Sequence, residues 1–333
     1  MKNKVKIIAE GGLNHNGNFD KLIKLIKIAK NAEADFVKFQ LFKTENFINK
    51  KFNNNKLDYK KIFSRFKSLE FSINDWKKAI KFGKKIGIKV IFSIFDKESI
   101  KILKNLGINI VKIPSGEINN YDLLKKVNYS KLKVILSTGM SGLNEISKAI
   151  EHLNKCEIIL LHCVSEYPTT NPNLDNIDLL KKKFKKKIGF SDHTADVVTP
   201  ALSVIAGAKV IEKHFTYNKK QKLGDHRFSL SPTELKIMVK NVRLAELSKG
   251  NKKRKISKKE RKLQLLARKG IYFRKDKFKG EKIKYSDLIF LRPQGKLAID
   301  KLNFIKGKIL KKNVKSYISP DLNYFKKKKV VNE

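Results

Sequence analysis

Acidic residues are scarce in this chain. Its 333 residues hold 31 Asp and Glu against 76 Lys and Arg, a formal net charge of +45. Arginine is scarce as well: eight of the basic residues are Arg and the other 68 are Lys. That shortage weakens a nucleic-acid reading of the charge, because Arg supplies the bidentate and stacking contacts such binders rely on. Two cysteines, Cys156 and Cys163, are too few for a disulfide framework and point to a reducing, cytoplasmic setting. No apolar run approaches the roughly 20 residues of a membrane span. The opening MKNKVKIIAEGG has only a short apolar patch, interrupted by Glu10, too short for a secretory signal.

What is present suffices for a core. Hydrophobic residues make up 41% of the chain and aromatics 9%, which excludes wholesale disorder. The length fits one large domain of about 250 residues followed by a small one. Lysine accompanies many Asn and Ile residues, the bias of an A/T-rich coding sequence, so most of it belongs on solvated helix faces. Three dense basic runs stand out: Lys181–Lys187, Lys252–Lys262 and Lys326–Lys329. The middle one is expected to be an interdomain linker.

Along the first 250 residues, short β-branched runs alternate with amphipathic helical stretches. The strand candidates are Val5–Ala9, Asp35–Gln40, Lys89–Ser93, Asn109–Ile113, Lys133–Ser137, Glu157–Leu161, Lys187–Phe190 and Lys209–Glu212. Each is a compact apolar run, as in a parallel strand buried on both faces. Helical patterns cover Phe19–Ala32, Asn74–Ile86, Lys97–Leu106, Asn144–Leu153, Val197–Ala206 and Thr233–Leu247. Eight β-then-α units predict an α/β fold of the closed (β/α)8 TIM-barrel kind. A doubly wound open sheet fits less well, since no GxGxxG follows the first strand.

In such a barrel the working groups stand at the C-terminal ends of the strands. Those ends read Glu10 with Asn14 and His15, then Lys38 and Gln40, then Ser93, then Lys112, Ser115 and Glu117. They continue with Ser137 and Thr138, then His162, Ser165 and Tyr167, then Ser191, Asp192 and His193, then Glu212 and His214. Polar loops account for one or two such ends, and poorly for eight in register.

The residue types suggest chemistry. His193 and His214 end neighbouring strands, about 4.8 Å apart, so both imidazoles can reach one divalent ion and leave positions open; either alone also suits a hydrogen-bonded barrel residue. Lys38 and Lys112 lie inside apolar runs, where an ammonium is costly unless it faces an anion. With Ser115, Ser137 and Ser191 they suggest a phosphate and carboxylate pocket. Glu10, Glu117, Glu212 and Asp225 supply carboxylates for acid–base work, and spacing does not divide the roles among them.

The ordered motifs AEGGLNHNG, DFVKFQLFK, VKIPSGEI, ILSTGM, LHCVSEYPT, GFSDHT, IEKHFT and LGDHRFSLSP resemble the sialic acid synthases, the N-acetylneuraminate, legionaminate and pseudaminate synthases, over nearly the whole chain. The resemblance implies condensation of phosphoenolpyruvate with an N-acylated hexosamine, either N-acetylmannosamine or a diacetamido-trideoxyhexose. By resemblance, His193 and His214 hold the metal, usually manganese, with magnesium or cobalt as alternatives. Lys38, Lys112, Ser115, Ser137 and Ser191 hold phosphoenolpyruvate. Glu10, Gln40, Tyr167, Glu212 and Asp225 face the sugar, Ser93 keeps a hydroxyl where Thr is frequent, and Glu117 stands near the reacting centre. ARKG, KFKGEKI and FLRPQGKLAI resemble the small β-rich antifreeze-like (SAF, β-clip) domain, which in the family comes from the partner of a homodimer and brings its Arg, here Arg292, to the sugar. The expected organisation is a barrel at 1–250, a basic linker at 251–268 and the capping domain at 269–333. Ser165 in place of Asn and Gln294 in place of Gly depart from common forms and bear on sugar specificity. A deoxy-octulosonate phosphate type synthase is the nearest rival, disfavoured by the extra C-terminal domain. A polyanion- or RNA-binding protein is a distant one; neither specific nucleic acid nor membrane is expected as a partner.

Overall fold

The computed structural model describes residues 4–54, 57–221, 224–250 and 253–326. The chain forms two compact units, Met1–Asn251 and Lys252–Glu333. The basic run Lys326–Lys329 lies, beyond Lys326, outside the described residues.

The first unit is a closed, all-parallel barrel of eight strands. They are β1 (Lys6–Gly12), β2 (Phe36–Leu41), β3 (Lys89–Ile94), β4 (Ile110–Ile113), β5 (Lys133–Ser137), β6 (Ile158–Cys163), β7 (Lys187–Asp192) and β8 (Val210–His214). Each strand pairs with its neighbours in sequence, and β8 closes onto β1. The eight expected strands are therefore present. Several run two or three residues further than the apolar patterns, so that Glu10, Asp192 and His214 belong to the sheet itself. Apolarity ends before the strand does, because Glu10 and His214 face a polar mouth and Asp192 meets Lys213 on the outer face while their backbones stay paired.

Alternation along the strands builds two concentric layers. Outward residues such as Ile7, Val37, Phe92, Val134, Leu160, Phe190 and Ile211 join the large core under the helices. Inward residues Ile8, Ile91, Ile135, Leu161 and Val210 form a separate apolar floor inside the barrel. On β7 the inward position is Gly189. A Cβ there would lie 2.5 Å from both Leu161 Cδ2 and Val210 O, so neighbouring side chains already fill the space.

The helices are α1 (Phe19–Asn31), α2 (Tyr59–Lys67), α3 (Ile73–Ile86), α4 (Glu98–Asn105), α5 (Tyr121–Asn128), α6 (Leu143–His152), α7 (Asn176–Phe184), α8 (Thr199–Ala206) and α9 (Pro232–Lys249). Of these, α2, α5 and α7 were not expected; they are no shorter than α4 and α8, which were. No helix among the described residues is long and apolar enough to cross a membrane.

The second unit opens with α10 (Lys258–Ala267), so the stretch expected as a linker is largely helical. Ser257 and Glu260 close its first turn as a capping box, Glu260 N donating to Ser257 Oγ at 3.0 Å and Ser257 N to Glu260 Oε2 at 2.8 Å. Strands β9 (Gly270–Phe273) and β10 (Leu288–Leu291) then pair antiparallel. Isolated antiparallel bridges join Lys277 with Val314 and Lys282 with Ile309. Ile271, Phe273, Ile283, Ile305 and Leu310 belong to a core of its own.

Candidate active site at the barrel mouth

Two residues beyond the apolar floor, the inward positions change character on most strands. Ile8 gives way to Glu10, Ile91 to Ser93, Ile135 to Ser137, Leu161 to Cys163 and Val210 to Glu212. These side chains line a cavity of about 480 Å³ at the C-terminal ends of the strands. The cavity also takes in Lys38, Gln40, Lys112, Ser115 and Ser191. Tyr167, His193, His214 and Asp225 complete the expected set. Two expected residues lie outside it. Glu117 sits in the turn after β4, where its Oε2 accepts from Asn120 Nδ2 at 2.7 Å. Arg292 follows β10 in the second unit, exposed.

Four buried charges cross the cavity. Lys38 Nζ lies 2.7 Å from Glu10 Oε2 and 3.7 Å from Glu212 Oε2. Lys112 Nζ lies 2.8 Å from Glu212 Oε1, which also accepts from Ser191 Oγ at 2.9 Å. Burial alone pushes Glu212 up, but Lys112, Lys38 and the Ser191 hydroxyl outweigh it and hold the group well below the usual carboxylate range. Glu10 gains less. Burial, reinforced by the Glu212 charge, outweighs Lys38 and raises it to about 7. Burial works against the Lys38 charge, yet the two carboxylates hold its ammonium above its ordinary value. Glu10 and Glu212 thus share a site with different protonation preferences, the condition for one acid and one permanent anion.

The imidazoles sit on one side. Their ring centroids are 5.6 Å apart, and Tyr167 lies 4.1 Å from the His193 ring. His193 Nδ1 lies 2.7 Å from Val164 O, fixing its tautomer. Burial lowers His193, but Cys163 and Val164 more than offset it. Burial and the neighbouring His193 drive His214 well below its ordinary value, leaving it neutral. His214 Nδ1 is buried without a hydrogen-bond partner, with Asp225 Oδ2 at 3.5 Å. A neutral ring whose Nδ1 has no hydrogen bond, beside a second ring, fits an open divalent-metal site: two imidazoles bound to one ion at about 2.1 Å place their centroids about 5–6 Å apart. Among the described residues no group of three His, Cys, Asp or Glu could hold a metal ion, so water or substrate would supply the remaining ligands.

Some contributors went unread in the sequence. Cys163 Sγ lies 3.8 Å from Ser115 Oγ and 3.6 Å from His193 Nδ1. Burial pushes its thiol up, and His193 and Lys112 outweigh that and lower it. A Cβ on Gly139 would lie 2.3 Å from Ser165 Oγ and 2.8 Å from Ser115 Oγ, so this glycine lets two hydroxyls close on the backbone. Phe95 and Phe228 supply apolar walls. Lys213, buried in the run VIEKHF, was detectable by the reasoning applied to Lys38.

The NeuB family model matches residues 25–254. The chain is 39% identical over 325 residues to the N,N'-diacetyllegionaminic acid synthase of Campylobacter jejuni, covering 94% of this chain and 97% of that protein. It is 37% identical over 323 residues to the enzyme of the same name from Legionella pneumophila, covering 92% and 91%. The crystal structure of N-acetylneuraminic acid synthetase from Leptospira borgpetersenii in complex with citrate is similar, with a TM-score of 0.72 and 34% identity over 78% of this chain and 90% of that one. With a family match across more than half its length and relatives this similar, the chain belongs to the NeuB family and is an enzyme of the synthase kind.

Proposed function

We propose that the protein condenses phosphoenolpyruvate with an open-chain N-acylated amino sugar and water, giving a nonulosonic acid and inorganic phosphate. The observation that carries this reading is the single cavity holding two ammoniums, five serine hydroxyls, a raised carboxyl and two imidazoles. Lys38 and Lys112 supply charge for the phosphate and carboxylate of phosphoenolpyruvate, and Ser115, Ser137 and Ser191 supply directional donors. Glu10, Gln40, Ser93, Tyr167 and Asp225 face the sugar. The electron pair of the phosphoenolpyruvate double bond forms the new C–C bond to the sugar aldehyde carbon. Protonated Glu10 gives its proton to the aldehyde oxygen as negative charge develops there. Glu212, held ionised, faces the positive charge that develops at C2. Water adds at C2, returning one proton to the Glu10 carboxylate, and the new hydroxyl gives its proton to phosphate as the C2–O bond breaks. Bound to His193 and His214, a divalent ion, in the first place manganese, would supply Lewis-acid polarisation of the sugar carbonyl. Glu117, one residue beyond Gly116 of the lining, is kept as a carboxylate near the reacting centre.

The second unit is read as an antifreeze-like cap that brings Arg292 to the sugar of a partner subunit in a homodimer. The high identity to two N,N'-diacetyllegionaminic acid synthases favours a diacetamido-trideoxyhexose over N-acetylmannosamine. The test incubates the purified protein with phosphoenolpyruvate, manganese and each candidate sugar, reading phosphate release. Release with an unphosphorylated N-acylated sugar supports the reading. Release only with phosphorylated aldoses overturns it. In ¹⁸O-labelled water the label is expected in the ketose product; label only in phosphate rejects C–O cleavage.

A further inference from the structure

Lys213 stands between Glu212 and His214 on β8, and Asp192 between Ser191 and His193 on β7. Alternation sends the flanking residues into the mouth and these two to the opposite face, under the helices. There they are Cα partners across the two strands. Lys213 Nζ lies 2.5 Å from Asp192 Oδ2, with the side chains 1% and 0% exposed. The same ammonium reaches Thr194 O at 2.6 Å and Thr194 Oγ1 at 3.1 Å. Asp192 Oδ1 accepts from Thr194 N at 2.9 Å. Three acceptors match the three ammonium donors, so the cluster has nothing to offer a ligand.

Its surroundings give no packing reason for charge. Ile188, Phe190, Ile211 and Phe215, the outer-face neighbours on these strands, are apolar and buried. Apolar residues of similar volume stabilise such a position as well or better than an ion pair. What the pair adds is direction, since it fixes how β7 and β8 lie against each other and holds the backbone one residue beyond His193. His214 needs this most. His193 is tied to Val164 O, whereas His214 Nδ1 has no hydrogen bond and its ring is placed by its strand and by Tyr167 and Phe228.

We propose that Lys213, Asp192 and Thr194 form a clamp that positions the imidazoles of His193 and His214 from the outer face of the barrel. The clamp touches neither substrate nor ion, and its members are positioning residues. The proposal rests on the reading of His193 and His214 as the metal pair.

The test uses the full chain with the double substitution Asp192→Leu and Lys213→Met, which removes both charges and leaves neither partner stranded. Thr194→Val, which removes one prong and keeps the ion pair, is the milder variant if the double one does not fold. Two readouts are taken from folded protein: imidazole ¹H–¹³C NMR signals without metal, and Mn²⁺ affinity by electron paramagnetic resonance. The signals of His193 and His214 are expected to shift and broaden while those of His15 and His226 stay. Mn²⁺ affinity is expected to fall at least about tenfold, as for other supports of metal-bound histidines. Turnover should fall in kcat, with KM for phosphoenolpyruvate changed by less than about threefold, because its anionic groups are held from other strands as well. Unchanged imidazole signals overturn the proposal, and so does Mn²⁺ binding equal to that of the parent protein. If the parent binds no Mn²⁺ while the signals move, the metal reading falls and the clamp stands.

Discussion

Two sets of buried charges sit back to back on β7 and β8. Inside the mouth, Glu212 is engaged by Lys112, Lys38 and Ser191, yet its Oε2, like His214 Nδ1, has no hydrogen-bond partner. On the outer face, Lys213 and Asp192 are saturated. Burial is nearly equal on the two faces, so burial does not separate a reactive group from a structural one. Spare valence does. A buried polar atom left without a partner is expensive and persists where something else completes it.

The largest test of that contrast is His214→Ala on the inner face. Catalytic efficiency should fall about 10³-fold, while calorimetry should show the melting temperature within about 3 °C of the parent. An equal loss of stability would erase the distinction. On the outer face, Lys213→Met should lower unfolding free energy by about 3–5 kcal/mol, since it strands a buried carboxylate; urea unfolding measures this. A loss below about 1 kcal/mol would mean that the clamp carries no strain when opened.

Glu10 sharpens the contrast through pH. In the folded chain it titrates near 7 instead of 4.5, so folding takes up a proton between those values. The stability this confers is complete below about 4.5 and declines as pH rises to 7, by about 3 kcal/mol. Urea unfolding at pH 5 and 7.5 should show it as a difference between the parent and Glu10→Gln, because the buried histidines His15, His162, His214 and His226, lowered in both proteins, add an opposite slope. As the acid that protonates the aldehyde oxygen, Glu10 should also make kcat/KM fall above pH 7, and Glu10→Gln should be slow and free of that limb. A smaller effect is expected at Arg292, whose replacement by Ala should raise KM for the sugar about tenfold; no change would remove the cap from the mechanism. Smallest, raising salt from 50 to 300 mM should raise KM for phosphoenolpyruvate several-fold, through screening of the +45 field.

Much of the barrel was legible because its strands are buried on both faces and read as apolar runs ended by a polar residue. Glu10, Lys38, Lys112 and Ser137 were visible by that rule, and alternation then brought them to one cavity. Three kinds of feature escaped it. Helices α5 and α7, no shorter than the expected α4 and α8, follow the Asn-rich stretches EINN and NPNLDN, which read as loop and mask the DLLKK turns behind them. The helix α10 buries no side chain among the described residues, and its evidence was the capping pattern Ser257 to Glu260 rather than amphipathicity. Lys213 was overshadowed by its neighbours, although a lysine between apolar strand residues demands an anion whichever face it takes. Glu117 follows a strand end closely and stands one residue past the lining, its carboxylate accepting from Asn120.

The floor of the cavity adds a constraint on how this protein can diverge. Position 189 has no room even for a methyl group, because Leu161 and Val210 occupy it from the two adjacent strands. Any replacement of Gly189 spreads β6 and β8, and with them Cys163 and Glu212 two residues further on. The floor and the reactive layer therefore cannot drift separately in sequence. New sugar preferences are left to the loops around the mouth, at lining positions such as Met140 and Ser165 that do not touch the two imidazoles.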